Sequence, residues 1–315
     1  MKKNPFYLTD IVSIDQFTKA DIDHICAAAL KMKKLVLTRG GSDILHGKVM
    51  TALFYEPSSR TFGSFVAAMQ RLGGGIIPLQ GVQFSSVIKG ETLADTVRVF
   101  ESFSDVIVIR HPEVGSAKIA AEFSDKPVIN AGDGVGEHPT QALLDLFTIT
   151  NHFGSANKLT ITMVGDLLNG RTVHSLAKLV SLYKNVKIHF VSPDILKFPR
   201  EIYMKLKDKG VILHEQEQLV DLLPATDVLY VTRVQKERFS DLDSYERVKN
   251  HYIITSSLMK HFNKKGILMH PLPRVGEITM DVDLDPRAVY LTEQMKNGMY
   301  VRMALLALVL NKNGV

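Results

Sequence analysis

Nine short runs of β-branched and aliphatic residues recur along the chain, at 49–54, 76–79, 106–110, 128–130, 159–165, 186–191, 211–213, 228–231 and 267–269. Amphipathic stretches with helical spacing separate most of them, the pattern that builds a parallel sheet covered by helices on both faces. Nine strands are many for one such sheet, so two doubly wound parallel-sheet domains are expected. The stretch 139–153, with Leu143, Leu144, Leu146, Phe147 and Ile149, reads as a long helix joining the two halves. A last helix around 293–310 is apolar on its Val301, Leu305 and Leu308 side and is expected to pack back on a core. Near the start, Thr18 caps a helix with Asp21 three residues on, and Ile22, Ile25, Ala29, Met32 and Leu35 keep its spacing until Gly40.

A chain of 315 residues, 45% hydrophobic and 23% charged, has the size for two ordinary domains and the composition of a folded globular protein. Cys26 has no second cysteine to pair with, which fits a reducing compartment, and among Ile22, Ile25 and Ala29 it reads as a small core thiol. Met1 to Phe6 carries basic residues with no apolar stretch behind them, and the run 303–310 is too short to span a bilayer, so a cytoplasmic location is expected. The net charge of +5 is spread out, and its densest group, Lys31, Lys33 and Lys34, falls on a helical pattern as a solvated face. No nucleic-acid or membrane partner is expected. Small anionic substrates suit the charge equally well.

Chemistry concentrates where strands end. Residues 54–61 read Phe-Tyr-Glu-Pro-Ser-Ser-Arg-Thr, a strand end, a proline turn and a helix start. Such a junction aims free backbone N–H groups and the positive end of a helix dipole at one point. Ser58, Ser59 and Thr61 add hydroxyls, and Arg60 adds a fork suited to a phosphate or carboxylate. That exceeds what one helix cap requires. Later strands lead into Arg110-His111-Pro112, into Ala131-Gly132-Asp133-Gly134 and His138-Pro139-Thr140-Gln141, into Gly165-Asp166 and Gly170-Arg171-Thr172, into Arg233-Val234-Gln235, and into His270-Pro271-Leu272-Pro273-Arg274. Arg110 alone fits a surface ion pair, and His138 alone fits a cap. Their coincidence at strand ends points toward one pocket, because open α/β sheets bind ligands beyond the carboxyl ends of their strands. A polar loop, 83–95, holds Ser85 and Lys89 between Gly81 and Gly90, as a closing lid would.

Taken in order and over nearly the whole chain, these segments resemble the aspartate/ornithine carbamoyltransferase family, and within it the catalytic chain of the aspartate enzymes. The resemblance implies carbamoyl transfer from carbamoyl phosphate to the amine of L-aspartate, a committed step of pyrimidine synthesis, in an interdomain cleft. It implies a carbamoyl phosphate-binding domain at 1–138, completed by 293–315, and an aspartate-binding domain at 139–292. By position, Ser58, Ser59, Arg60, Thr61 and Arg110 match the phosphate site, with Ser85 and Lys89 supplied by a neighbouring subunit of a homotrimer. Thr61, Arg110 and His138 would polarise the carbonyl, with Arg60 beside them in the catalytic set. Gln141 and the backbone from Pro271 through Leu272 to Pro273 would hold the carbamoyl amide. Lys89, Arg171, Arg233 and Gln235 would take the carboxylates of aspartate. No cofactor and no metal are implied, and the resemblance leaves room for a separate regulatory chain. Ser59, Phe62, Glu137, Asn169 and Gly276 depart from the family's usual residues without removing any of these groups.

The nearest alternative is an ornithine carbamoyltransferase, but Lys89 and Arg233 would repel a cationic side chain, and that group typically carries His-Cys-Leu-Pro where this chain has His270-Pro271-Leu272-Pro273. A non-catalytic anion binder or a dinucleotide oxidoreductase would share the sheet. Residues 165–170, Gly-Asp-Leu-Leu-Asn-Gly, lack the glycine spacing of a dinucleotide turn.

Overall fold

The computed structural model describes residues 4–81, 89–239 and 241–315. The chain divides into two compact units, Met1–Phe147 with Lys296–Val315, and Thr148–Met295. All nine expected strands form, and they fall into two sheets, both wholly parallel.

In the first unit, strands β1 (Val49–Phe54), β2 (Gly75–Gln80), β3 (Val106–His111) and β4 (Val128–Asp133) lie in the order β2-β1-β3-β4. Helices α1 (Lys19–Arg39), α2 (Ser59–Arg71), α3 (Leu93–Glu101) and α4 (Ser116–Glu122) connect or flank them. β1, β3 and β4 are buried along almost their whole length, as strands covered on both faces must be. β4 runs three residues past its apolar stretch, through Ala131 and Gly132 to Asp133, because a register shift lets Asp133 pair with His111. The Thr18–Asp21 capping box forms as read. Cys26 is only half-buried, a correction to its reading as a core thiol, since its helical position lies beside the buried face made by Ile22, Ile25 and Ala29.

α2 begins at Ser59, well before the apolar spacing carried by Phe65, Ala68 and Met69 becomes visible. Its first turn is polar, so periodicity alone places the helix start too late.

Helix α5 (Pro139–Phe153) starts in the first unit and ends in the second. There, β5 (Thr160–Val164), β6 (Lys187–Val191), β7 (Ile212–Gln216), β8 (Val228–Val231) and β9 (Ile267–Met269) lie in the order β7-β6-β5-β8-β9. Helices α6 (Arg171–Val180), α7 (Arg200–Asp208), α8 (Leu242–Val248) and α9 (Ser256–Met259) connect them. A core of Val164, Leu229, Val231, Leu268, Ile278 and Tyr290 packs around β5, β8 and β9.

The chain then returns to the first unit through α10 (Met295–Leu310). Every residue from Tyr300 to Leu310 is buried, so beyond its first turn this helix has no solvent face, where one apolar side was expected. Burial of each of its leucines contributes about 1.5–3 kcal/mol. The N-terminal segment closes over it: the Asn4 side chain donates to the carbonyls of Leu308 (2.6 Å) and Asn311 (2.9 Å), and the Leu8 N–H to that of Val309 (2.9 Å). Among the described residues no helix is long and apolar enough to cross a membrane.

Candidate active site

Each sheet has one place where the strand order reverses, and there the connecting helices leave in opposite directions and open a crevice. In the first sheet it lies between β1 and β3; in the second, between β5 and β8. The expected site residues other than Ser85 and Lys89 follow strands at and beside these two places.

In the first unit, β1 ends in residues 55–58, tied to β3 by the Tyr55 N–H donating to the Arg110 carbonyl at 2.8 Å. Ser58 is the residue before α2, but its side chain makes no capping bond. The reading of this turn as an ordinary hydroxyl cap therefore fails, and the first-turn N–H groups of α2 lack that capping partner. Thr61 is buried in this first turn, whereas Ser59 and Arg60 are exposed.

Arg110 leaves the end of β3 and is only 8% exposed. Its Nη2 lies 2.6 Å from Glu56 Oε2, its Nη1 donates to the Ala131 carbonyl at 3.3 Å, and its Nε is buried with no hydrogen-bond partner among the described residues. Burial lowers its pKa, Glu56 works against this, and the charge of Arg60 lowers it further. A buried fork with an open donor and a like-charged neighbour gains from an arriving anion.

His138 is buried at the start of α5, and its carbonyl accepts the N–H groups of Gln141 (3.0 Å) and Ala142 (3.2 Å). Its Nδ1 lies 3.5 Å from Thr140 Oγ1, and Gln141 Nε2 donates to Asp145 Oδ1 at 3.0 Å. Beneath them sits Arg302 of α10, whose Nη2 is 3.5 Å from Thr140 Oγ1 and whose guanidinium lies 5.2 Å over the Phe65 ring. Burial lowers the Arg302 pKa to about 10, with Asp145 opposing the shift. A side chain at Gly298 would press on this guanidinium and on Leu144, so glycine there leaves the arginine its space. The loop before α5 is held by Asp133, which accepts from the N–H groups of Glu137 (2.7 Å) and Gly115 (2.9 Å). Glu137 in turn accepts the Ile14 N–H at 2.7 Å.

Lys89 stands exposed ahead of α3. Ser85, with the rest of 82–88, lies outside the described residues.

In the second unit, Asp166 follows β5 and is fully buried. It accepts the Asn169 N–H at 2.9 Å and the Gln235 N–H at 3.3 Å, so one carboxylate joins the loop after β5 to the loop after β8. Burial raises its pKa, and these bonds, with the charge of Arg233, pull it back. Gln235 Nε2 donates to the Asn169 carbonyl at 2.9 Å, which completes the clasp. Arg171 opens α6, half-buried, next to this loop. Arg233 is half-buried, and both its terminal nitrogens meet the Glu237 carboxylate, which raises the arginine pKa. The segment Pro271-Leu272-Pro273 follows β9, beside β8, with Leu272 at φ 58°.

Four charged residues that hold these side chains in place were not assigned from the sequence: Glu56, Asp145, Asp166 and Arg302. Glu56 and Asp166 stand inside segments that the strand-end pattern picks out. Arg302 had one signal, an arginine within a run of apolar residues.

Comparison with known proteins places both units in one family. Residues 9–151 match the aspartate/ornithine carbamoyltransferase carbamoyl-P binding domain, and residues 157–309 the Asp/Orn binding domain. The chain is 47% identical over 301 residues to an aspartate carbamoyltransferase catalytic subunit of Thermococcus gammatolerans, covering 96% of this chain and 97% of that protein. It is 54% identical over 299 residues to the multifunctional protein pyr1-3 of Dictyostelium discoideum, covering 95% of this chain but only 13% of that much longer protein. Its fold superposes on that of Trypanosoma cruzi aspartate transcarbamoylase in complex with carbamoyl phosphate and aspartate, with a TM-score of 0.92, 43% identity, and coverage of 97% of this chain and 98% of that one. Two wholly parallel sheets with their polar residues at the strand-order reversals, and family matches covering both units, lead to one conclusion: the chain belongs to the aspartate/ornithine carbamoyltransferase family.

Proposed function

We propose that this chain is an aspartate carbamoyltransferase: it transfers the carbamoyl group of carbamoyl phosphate to the amine of L-aspartate, giving N-carbamoyl-L-aspartate and phosphate for pyrimidine synthesis. The observation that carries the reading is Arg110, a buried arginine with an open donor beside an uncapped helix start. Named relatives and a Trypanosoma cruzi aspartate transcarbamoylase structure containing N-(phosphonacetyl)-L-aspartic acid support it.

In this reading 1–138 with 293–315 binds carbamoyl phosphate, and 139–292 binds aspartate. Ser58, Ser59, Arg60, Thr61 and Arg110 take the phosphate. Thr61, Arg110 and His138 donate to the carbonyl oxygen, and Gln141 with the Pro271–Leu272 backbone holds the amide. Arg171, Arg233, Gln235 and Lys89 take the two carboxylates of aspartate. The amine nitrogen attacks the carbonyl carbon and the carbonyl electron pair moves onto oxygen, where positioned donors stabilise the charge. Collapse of that intermediate expels phosphate, which is basic enough to carry away the amine proton. No side chain needs to act as nucleophile.

Two of these cations already hold a carboxylate, Arg110 that of Glu56 and Arg233 that of Glu237. Substrate binding then exchanges one anionic partner for another, which avoids leaving a buried charge unpaired. Arg233 also disfavours ornithine, whose side chain is a cation. A homotrimer in the cytoplasm, with Ser85 and Lys89 reaching a neighbour's site, completes the proposal.

The test is phosphate release from carbamoyl phosphate with L-aspartate or L-ornithine, run beside a solution mass measurement. Release with aspartate alone and the mass of three chains are expected. Equal or faster release with ornithine overturns the substrate, and no release with either overturns the enzyme.

A further inference from the structure

The segment after β9 has an awkward task. In the proposed function its backbone carbonyls hold the carbamoyl amide, while Leu272, a branched residue, has a left-handed φ of 58°, a conformation that costs on the order of 1–3 kcal/mol and persists only when its surroundings enforce it.

What enforces it is His270, 2% exposed. Its Nδ1 accepts the Leu272 N–H at 2.8 Å, and its Nε2 lies 2.6 Å from Glu277 Oε1. The second Glu277 oxygen accepts the Val275 N–H at 2.9 Å, and the His270 N–H donates to Gln294 Oε1 at 3.0 Å. A backbone N–H can only donate, so Nδ1 must carry the lone pair. Nε2 therefore carries the proton and donates it to Glu277. The imidazole has one tautomer that satisfies both neighbours, and the carboxylate selects it.

We propose that His270 and Glu277 are a positioning dyad: Glu277 fixes the His270 tautomer, and His270 thereby holds the Leu272 backbone in the shape that recognises the carbamoyl amide. This rests on the carbamoyl phosphate reading above. The other charges facing the ring are Arg233 and Arg274, with the Tyr290 ring edge-on at 6.4 Å. Arg274 is itself held by Asp283 and the Tyr290 hydroxyl. Burial keeps the ring neutral, although Glu277 pulls toward the charged form. A second proton would place a donor on Nδ1 against the Leu272 N–H.

Two substitutions at one position separate positioning from packing. In His270→Asn the amide oxygen lies near the site of Nδ1 and still accepts from Leu272. In His270→Gln the longer amide reaches toward Glu277 but leaves the Leu272 N–H without its acceptor. The readout is discrimination between carbamoyl phosphate and acetyl phosphate, which has the same phosphate and carbonyl but a methyl in place of the amide nitrogen. It is measured as the acetyl phosphate inhibition constant over the carbamoyl phosphate KM. His270→Gln is expected to lower this ratio about tenfold, the equivalent of about 1.4 kcal/mol or one hydrogen bond, and His270→Asn to keep most of it.

Equal losses in both variants, or none in His270→Gln, overturn the dyad. Should His270→Gln fail to fold, Glu277→Ala carries the test. It removes the acceptor that selects the His270 tautomer, so the ratio is again expected to fall, and an unchanged ratio overturns the proposal. A wild-type protein that turns over neither carbamoyl phosphate nor any competitor-sensitive reaction fails the functional reading instead.

Discussion

Arg110 and Arg233 are both forked cations held against a carboxylate, yet they are expected to fail differently. Arg110 is buried and keeps one donor without a partner among the described residues, and in the proposed reaction it meets the charge that develops on the carbonyl oxygen. Arg110→Ala is therefore expected to lower kcat by about 100-fold or more, the usual consequence of removing one donor to a developing oxyanion. Arg233 is more exposed and fully engaged by Glu237, a partner of the same chemistry as the second substrate. Arg233→Ala is expected to raise the aspartate KM strongly while leaving that for carbamoyl phosphate nearly unchanged. Steady-state kinetics in both substrates check the pair. Near-normal turnover removes Arg110 from the catalytic set, and an unchanged aspartate KM removes Arg233 from the aspartate site.

At the scale of elements, the turn that leaves β5 is set by a single glycine. Gly165 has a φ of 117°, and a Cβ there would press into the Thr232 backbone carbonyl at the end of β8. The two loops clasped by Asp166 start from this close approach. Gly165→Ala combines a forbidden backbone angle with a clash against main chain, and is expected to destabilise the second unit by roughly 2–5 kcal/mol. Thermal unfolding measures it, and a midpoint within a degree of wild type would show that the turn can adapt. The strands themselves were legible in the sequence, because parallel strands buried on both faces are written as unbroken apolar runs and nothing else so short competes with them. The start of α2 was not, since its first turn is polar and the apolar spacing begins only at Phe65. Nor were the partners of the site's cations: Glu56 is 54 residues from Arg110, and Arg302 is 162 from Thr140, so only the folded chain brings them together. The donors could be read because strand ends expose them; the carboxylates behind them are ordinary residues until their neighbours are known.

For the whole molecule, the decisive feature is that the first unit is discontinuous. Its final stretch, Lys296–Val315, follows all of the second unit in the chain and fills the core with α10. Deleting Lys296–Val315 is expected to leave hydrogen-exchange protection in β5 to β9 and to abolish it in β1 to β4. Retained protection in β1 to β4 would show that α10 is dispensable. The Asn4 side chain bonds to the Leu308 carbonyl across 304 positions, so the early chain waits for the late one. On a ribosome adding about 5–20 residues per second, the four-stranded sheet is complete in sequence roughly ten to thirty seconds before its last helix emerges. Through that interval the nascent chain carries an unfinished apolar surface while the later unit is still being made. Synthesis order and completion order thus run opposite ways, and the half that is translated first is the half most in need of a chaperone.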